Sequence, residues 1–317
     1  MRKIYFVILL LGLYAALFSN RLFAQPAGME GSPAVFEPGK ISDPFPNRDM
    51  AISADGNELF YTIQFTKGYF SVIMHCVKEN GGWSEPEVAS FSGKYSDLEP
   101  SFSPDGKKLY FSSSRPLADT GAEKDFDIWF VTKTNGVWQN PQNVGAPVNT
   151  AGDEFYASVA NSGNIYFTRN TEGRNDDIKM CRYENGRYGQ AVSLSDSVNS
   201  AGFEFNAYID PGEQFILYTA YNRPGGQGSG DLYISRKTAT GTWGKGVNLA
   251  AVNSPYMDYC PYVTADKKYL YFTSDRPLKT TPFKKRLNTK ALKAMLNAPG
   301  NRFDDIYVVS SKVLAQY

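Results

Sequence analysis

The chain has 317 residues, 15% of them aromatic, with 33 Lys+Arg against 32 Asp+Glu and a formal net charge of +1. So even a balance lacks the basic excess that nucleic-acid binding demands. With His75 the single His and three Cys in all, no His/Cys cluster for a zinc-type site can be built, and any bound ion falls to oxygen ligands of the kind Ca²⁺ takes.

Arg2 and Lys3 open the chain, followed by an apolar run over residues 4–18 and then "SNRLFA-QP". The run is shorter than the ~20 residues of a spanning helix. A charged start, an apolar middle and a small residue at the cut describe a signal peptide over residues 1–24, with a retained anchor as the alternative. No Cys stands near the segment to carry a lipid. Cleavage after Ala24 removes Arg2, Lys3 and Arg21 and no acid, leaving 30 Lys+Arg against 32 Asp+Glu. The expectation is a periplasmic or secreted monomer with no stable membrane insertion after cleavage.

Five copies of a short apolar hairpin follow: "AISADGNELFYT", "SFSPDGKKLYFS", "SVANSGNIYFT", "AYIDPGEQFILYT" and "YVTADKKYLYFT". Each alternates apolar and polar residues around a turn, the period-2 signal of half-buried strands. In "SPDG", Pro104 presets φ and Gly106 accepts a positive one. A third run succeeds each hairpin ("YFSVIMHCV", "DIWFVTK", "DIKMCRY", "DLYISRK", "DIYVVSS"). In four copies a turn such as "TNGVW" and a fourth run complete the unit.

Four strands per copy are the blade of a β-propeller. The fifth copy stops after its third strand, and "AVFEPGKIS" (residues 34–42) carries the spacing of the missing fourth. Pairing it into the last blade closes the ring and hides a sheet edge. The fold expected is therefore all-β: one five-bladed propeller over residues 25–317, with six blades as the alternative if a degenerate copy is hidden. Cys76 and Cys181 hold the same position in different repeats, too far apart to bridge, and all three Cys are read as buried and free.

"PSFSPDGKKLYFSSSRP", with "FDIWFV" and "NPQNVGAPVNTAGDEF", resembles the WD-like repeat propellers related to the periplasmic protein TolB. The resemblance spans residues 34–317 and implies an extracytoplasmic interaction module, often part of a cell-envelope assembly. TolB's separate N-terminal domain has no counterpart here, nor does a peptidoglycan-binding domain follow the propeller, so a TolB-like partner does not carry over. The repeat is specific for fold and weak for function.

Positions shared among the copies are read as structure. Arg115, Arg169, Arg223 and Arg276 (Lys67 in the first copy) end the second strand, and Asp127, Asp177, Asp231 and Asp305 open the third. They are expected to form ion pairs within each blade. Ser42, Ser92, Asn149, Asn199 and Asn253 are turn caps. Five residues after these stand Asn47, Asp97, Glu154, Glu204 and Asp258, expected as an acidic rim at the channel mouth. Such a rim either bonds backbone of the neighbouring blade or binds a cation, an amine or a sugar, with Ca²⁺ the natural ion.

Two residues further along the strand the copies diverge: Asp49, Glu99, Tyr156, Asn206 and Cys260. Taken to lie on the same side as the rim acids, they are the best candidates for a specific ligand site. The last blade also carries a basic insertion at about 278–302. Leu287, Ala291, Leu292, Met295 and Leu296 recur there at helical spacing, Asn288 can cap the start, and Pro299 and Gly300 end the helix. Its functional reading is a basic arm for a charged partner or saccharide. The expectation is a non-enzymatic module that binds an envelope protein or a glycan without nucleic acid. Glycoside hydrolysis by channel carboxylates is the alternative.

Overall fold

The computed structural model describes residues 31–65, 68–118, 120–170 and 175–317; the segment read as a signal peptide, and Lys67, lie outside these. Five antiparallel sheets are arranged as a β-propeller. The innermost strands are Asn47–Ile52, Asp97–Phe102, Glu154–Val159, Phe203–Ile209 and Asp258–Val263 in blades 1 to 5. Second strands (Glu58–Gln64, Lys108–Ser113, Ile165–Arg169, Phe215–Tyr221, Tyr269–Ser274) and third strands (Ser71–Glu79, Asp127–Thr134, Asp177–Cys181, Gly230–Arg236, Asp305–Ser310) follow outward. Among the described residues no helix is long and apolar enough to cross a membrane.

The ring closes as the repeat predicts. Ala34–Val35 pairs antiparallel with Asp305–Ser310, with Ala34 opposite Val308 and Val35 opposite Tyr307. Phe36 N–H then donates to Ile306 O at 2.8 Å. The final blade is thus built from both ends of the chain, and its outer edge is covered.

Because the inner strands bury both faces, the core falls into one cluster between each pair of neighbouring blades and a sixth, of Tyr156, Tyr259 and Cys260, at the channel. Phe60, Ile73, Leu109 and Phe111 join blades 1 and 2, and Tyr166, Ile178, Ile216 and Tyr218 join blades 3 and 4. Main-chain bonds add to the packing: Glu154 N–H donates to Phe126 O, Glu204 N–H to Asp176 O, and Asn47 N–H to Asp304 O, at 2.7–3.1 Å.

The shared asparagines act as peptide mimics. Asn149 accepts from Ile128 N–H and donates to Ile128 O, both at 2.9 Å. Asn199 does the same to Ile178 and Asn253 to Leu232. Each side chain supplies the ladder pair that the short outer strand does not reach, satisfying buried backbone.

The arginines correct the expected pairing. Their partners are the first-strand acids: Arg115 with Asp97, Arg169 with Glu154, Arg223 with Glu204 and Arg276 with Asp258, at 2.5–2.8 Å. Each guanidinium also lies over an aromatic ring of its blade, such as Phe111 or Phe272. Asp231 and Asp305 instead accept backbone N–H groups of the loop before them, from Gln227 and Gly300, while Asp127 meets Lys124. Asp177 meets Lys179. The first- and third-strand acids flank the second strand at the same level, Asp97 and Asp127 both opposite Ser113 and Asp177 opposite Arg169, and each guanidinium bends toward the first strand.

Candidate functional site

Every innermost strand carries a β-bulge at the same place, between Arg48 and Ala51, Leu98 and Ser101, Phe155 and Ser158, Phe205 and Tyr208, and Tyr259 and Tyr262. The bulged residues are Asp49, Glu99, Tyr156, Asn206 and Cys260, all with positive φ between 50° and 61°. This is left-handed backbone that Glu, Tyr and Cys rarely adopt. In four of the five a hydroxyl of the preceding blade's second strand holds it in place. Asp49 N–H donates to Thr273 Oγ1, Glu99 N–H to Thr62 Oγ1, and Asn206 N–H to Thr168 Oγ1, at 3.0–3.1 Å. Tyr156 N–H reaches Ser112 Oγ at 3.3 Å and the Glu99 carboxylate at 2.7 Å.

The bulge changes where the divergent residues sit. Alternation past the rim acids fails at this point, and the five side chains turn inward to plug the channel. All are buried, from 1% exposed for Asp49 and Cys260 to 7% for Tyr156. Tyr156 spans the channel to donate from its hydroxyl to Pro261 O at 2.9 Å. The five converge as a floor. The rim acids Asp97, Glu154, Glu204 and Asp258, with Asn47, are sealed inside their blades at 0–1% exposure, a correction to their expected place at the mouth.

Arg48 organises the floor. Its Nε donates to both Asp49 oxygens at 2.9 and 2.7 Å, and Nη1 donates to Gln64 Oε1 at 3.2 Å. Nη2 reaches Glu99 Oε1 at 3.2 Å and Cys260 Sγ at 3.8 Å, and the guanidinium lies 5.0 Å from the centre of the Tyr259 ring. Glu99 also accepts from Asn206 Nδ2 at 3.0 Å and Ser112 Oγ at 3.2 Å. Burial and the neighbouring Asp49 charge push the Glu99 carboxyl up to about 7, although Arg48 pulls the other way.

Asp49, Glu99 and Cys260 bring their ligand-type atoms within 4.8 Å of one another. This trio does not suit Ca²⁺, which takes six to eight oxygen ligands. One of its three donors is a thiol that burial keeps protonated, and Arg48 already supplies the positive charge to all three.

Above this floor opens a cavity of about 520 Å³, lined from all five blades. Arg48, Gln64, Glu99 and Asn206 form its polar base, and Phe126, Phe155, Phe205 and Tyr259 form much of its wall. Asp176, Asp275 and Asp304 stand around the side. The residue immediately before each bulge (Arg48, Leu98, Phe155, Phe205, Tyr259) faces the cavity in every blade. That position, one residue earlier than the sequence pattern suggests, carries the asymmetry. The bulge could have been read from the Thr or Ser that ends each "LFYT"-type run, since a hydroxyl recurring beside the channel has a backbone group to serve.

Two features expected on the sequence lie apart from this cavity. His75 sits in blade 1's third strand, stacked 4.3 Å from Phe60 and bonded to Glu58 at 3.0 Å. The insertion forms the helix Thr289–Leu296, with Asn288 accepting from Ala291 N–H at 2.8 Å as its cap.

No family model and no curated protein matches the chain. Solved structures do. A TolB-type protein of Agrobacterium tumefaciens is 13% identical with a TM-score of 0.50, over 89% of this chain and 99% of that one. The catalytic domain of the Coprinopsis cinerea family 62 α-L-arabinofuranosidase is 10% identical with a TM-score of 0.50, over 90% and 98%. A further glycoside hydrolase is 8% identical with a TM-score of 0.53, over 90% and 91%. At such identities the likeness is one of fold, shared by TolB-type proteins and glycoside hydrolases alike, and by fold this chain is a five-bladed β-propeller.

Proposed function

We propose that the chain is an exported, non-enzymatic binding module that takes a sugar unit of a glycan into the channel-mouth cavity. The observation that carries this is the pairing of a fixed, planar polar base with aromatic walls. Arg48, Gln64 and Asn206 offer in-plane donors and acceptors, and Phe155, Phe205 and Tyr259 offer apolar faces beside them. A pyranose needs both, since its hydroxyls lie around a ring whose faces are apolar. Binding of this kind needs no metal. Export is supported by the charged and apolar start of the sequence.

Hydrolysis has one observation in its favour, a buried carboxyl raised to about 7 beside a second carboxylate. One feature opposes it: Asp49 is held at both oxygens by Arg48 beneath the cavity, so its carboxylate is engaged rather than free to attack or to activate water.

A glycan array followed by calorimetry on any hit tests the proposal, with product analysis to detect cleavage. Phe205→Ala and Gln64→Ala are each expected to weaken binding by roughly tenfold, about 1.4 kcal/mol. An array without hits, or a Phe205→Ala chain that binds as wild type does, would sink it; released sugars would establish hydrolysis instead.

A further inference from the structure

The insertion of the last blade presents a second surface, separate from the channel cavity. Its helix Thr289–Leu296 has no buried residue. Leu278, Leu292, Leu296 and Phe303 are 41–56% exposed on it. Eight residues are too few for a helix to hold by itself in water, so the propeller must fix it. Asn301 Nδ2 donates to Leu296 O and Pro44 O, both at 3.0 Å. Gly300 N–H donates to Asp305 Oδ2 at 2.6 Å. Gly300 has a φ of +72°, and a Cβ there would lie 2.3 Å from Leu278 Cγ, so glycine is needed for the loop to fold back.

Between helix and loop lies a cavity of about 440 Å³ whose apolar lining is Tyr256, Pro277, Phe283, Met295 and Leu296. Lys279 lines it too; the same insertion carries Lys284, Lys285, Arg286, Lys290 and Lys293, all exposed, and no acid occurs between Asp275 and Asp304. Arg302 pairs with Asp275 at 3.0 Å, whereas none of those six cations has an ion-pair partner among the described residues.

We propose that this insertion docks an acidic protein segment, which places one large apolar side chain in the cavity while its carboxylates meet the lysines. Charge complementarity gives the sign of the partner. The concave apolar pocket favours a peptide over an anionic lipid surface, which has no single knob to fill it. This surface does not depend on the glycan site.

Fluorescence anisotropy of the purified chain with a labelled peptide, glutamates flanking one phenylalanine, tests the proposal. Binding should weaken by roughly tenfold in the combined Lys284→Gln, Lys285→Gln, Arg286→Gln variant, and by a similar factor in Met295→Glu. It should fall with added salt and be unchanged in Phe205→Ala, which alters only the channel cavity. Absence of binding overturns the proposal. So does equal binding of an all-glutamate peptide, which would leave the cavity without a role, and so does binding of phosphatidylglycerol vesicles in place of the peptide.

Discussion

Arg48 of blade 1 donates to the Glu99 carboxylate of blade 2 at 3.2 Å while holding Asp49 of its own strand at 2.7 Å. One buried cation therefore bridges two acids that would otherwise face each other in the plugged channel, and it does so at the base of the candidate ligand cavity. Stability and recognition are tied at this point, so substitutions here separate the two only if chosen by charge.

Arg48→Met should be costly. Removing one partner of a buried ion pair leaves an uncompensated charge and costs about 3–5 kcal/mol. Combining it with Asp49→Asn and Glu99→Gln removes the stranded acids and should recover much of that loss. Urea unfolding of the two variants measures this; equal stability of Arg48→Met and wild type would show that the guanidinium does not hold the floor.

The pH dependence follows from Glu99. Its folded carboxyl is raised to about 7 from an ordinary 4.5, so the folded state holds a proton that the unfolded state has released over that interval. Stability is then greatest below the unfolded value and declines as pH rises toward 7, by up to about 1.4 kcal/mol per pH unit. Asp305, likewise raised to about 7 by burial, adds a decline of the same sign. Glu58 works in the opposite direction: His75, Lys133 and Trp138 donate to it and lower it to about 2, so its contribution disappears as pH falls below the ordinary range. Thermal melts from pH 4.5 to 7.5 should show a negative slope, shallower in Glu99→Gln. An unchanged slope in that variant would assign the effect to Asp305 and the other carboxyls that burial raises, Asp97, Glu154, Asp231 and Asp304 among them.

The propeller and its closure were legible in the sequence because each blade repeats one solution to one packing problem, and the repetition survives in "LYFT", "SPDG" and the third-strand apolar runs. The recurring Asn and Arg positions were also visible, but their partners were not. Arg115 finds Asp97 rather than Asp127, although both stand opposite Ser113 on the two neighbouring strands, because its side chain bends toward the first strand, a three-dimensional fact that spacing alone does not encode. The cavity-facing position lies one residue before the divergent one that the repeat marks. Period-2 counting places Asp49 beside Asn47, and the bulge between them and Ala51 moves Arg48 to the cavity and Asp49 beneath it. Arg48 has no counterpart in the other blades, which have Leu98, Phe155, Phe205 and Tyr259 there, so repetition does not mark it.

The hydroxyls behind the bulges give a paired test. Thr168 Oγ1 accepts from Asn206 N–H, so Thr168→Val leaves a buried donor unsatisfied, at a cost of about 1–3 kcal/mol. Thr219 occupies the same place in blade 4, but its Oγ1 is buried without a hydrogen-bond partner. Thr219→Val keeps the shape and removes an unpaired polar atom, so it should be neutral or stabilising. Denaturant midpoints of the two variants decide the matter, and equal losses would mean that Thr219 has a partner in solution.

The closure of the ring rests on Phe36. Its ring is 7% exposed and meets Tyr271 edge-on at 5.0 Å, and its N–H joins the last blade through Ile306 O. Phe36→Ala deletes a buried aromatic from the interface of blades 5 and 1 and should cost about 3–5 kcal/mol. The backbone pairing at Ala34 and Val35 can remain, but without its anchor the two-residue strand should open more often and bare the edge of Asp305–Ser310. Hydrogen exchange should then rise at Val308 before it rises in blades 2 and 3, and self-association should increase with concentration. Uniform exchange across all five blades would instead mean that the propeller unfolds as one unit and that the N-terminal strand is no weaker than the rest.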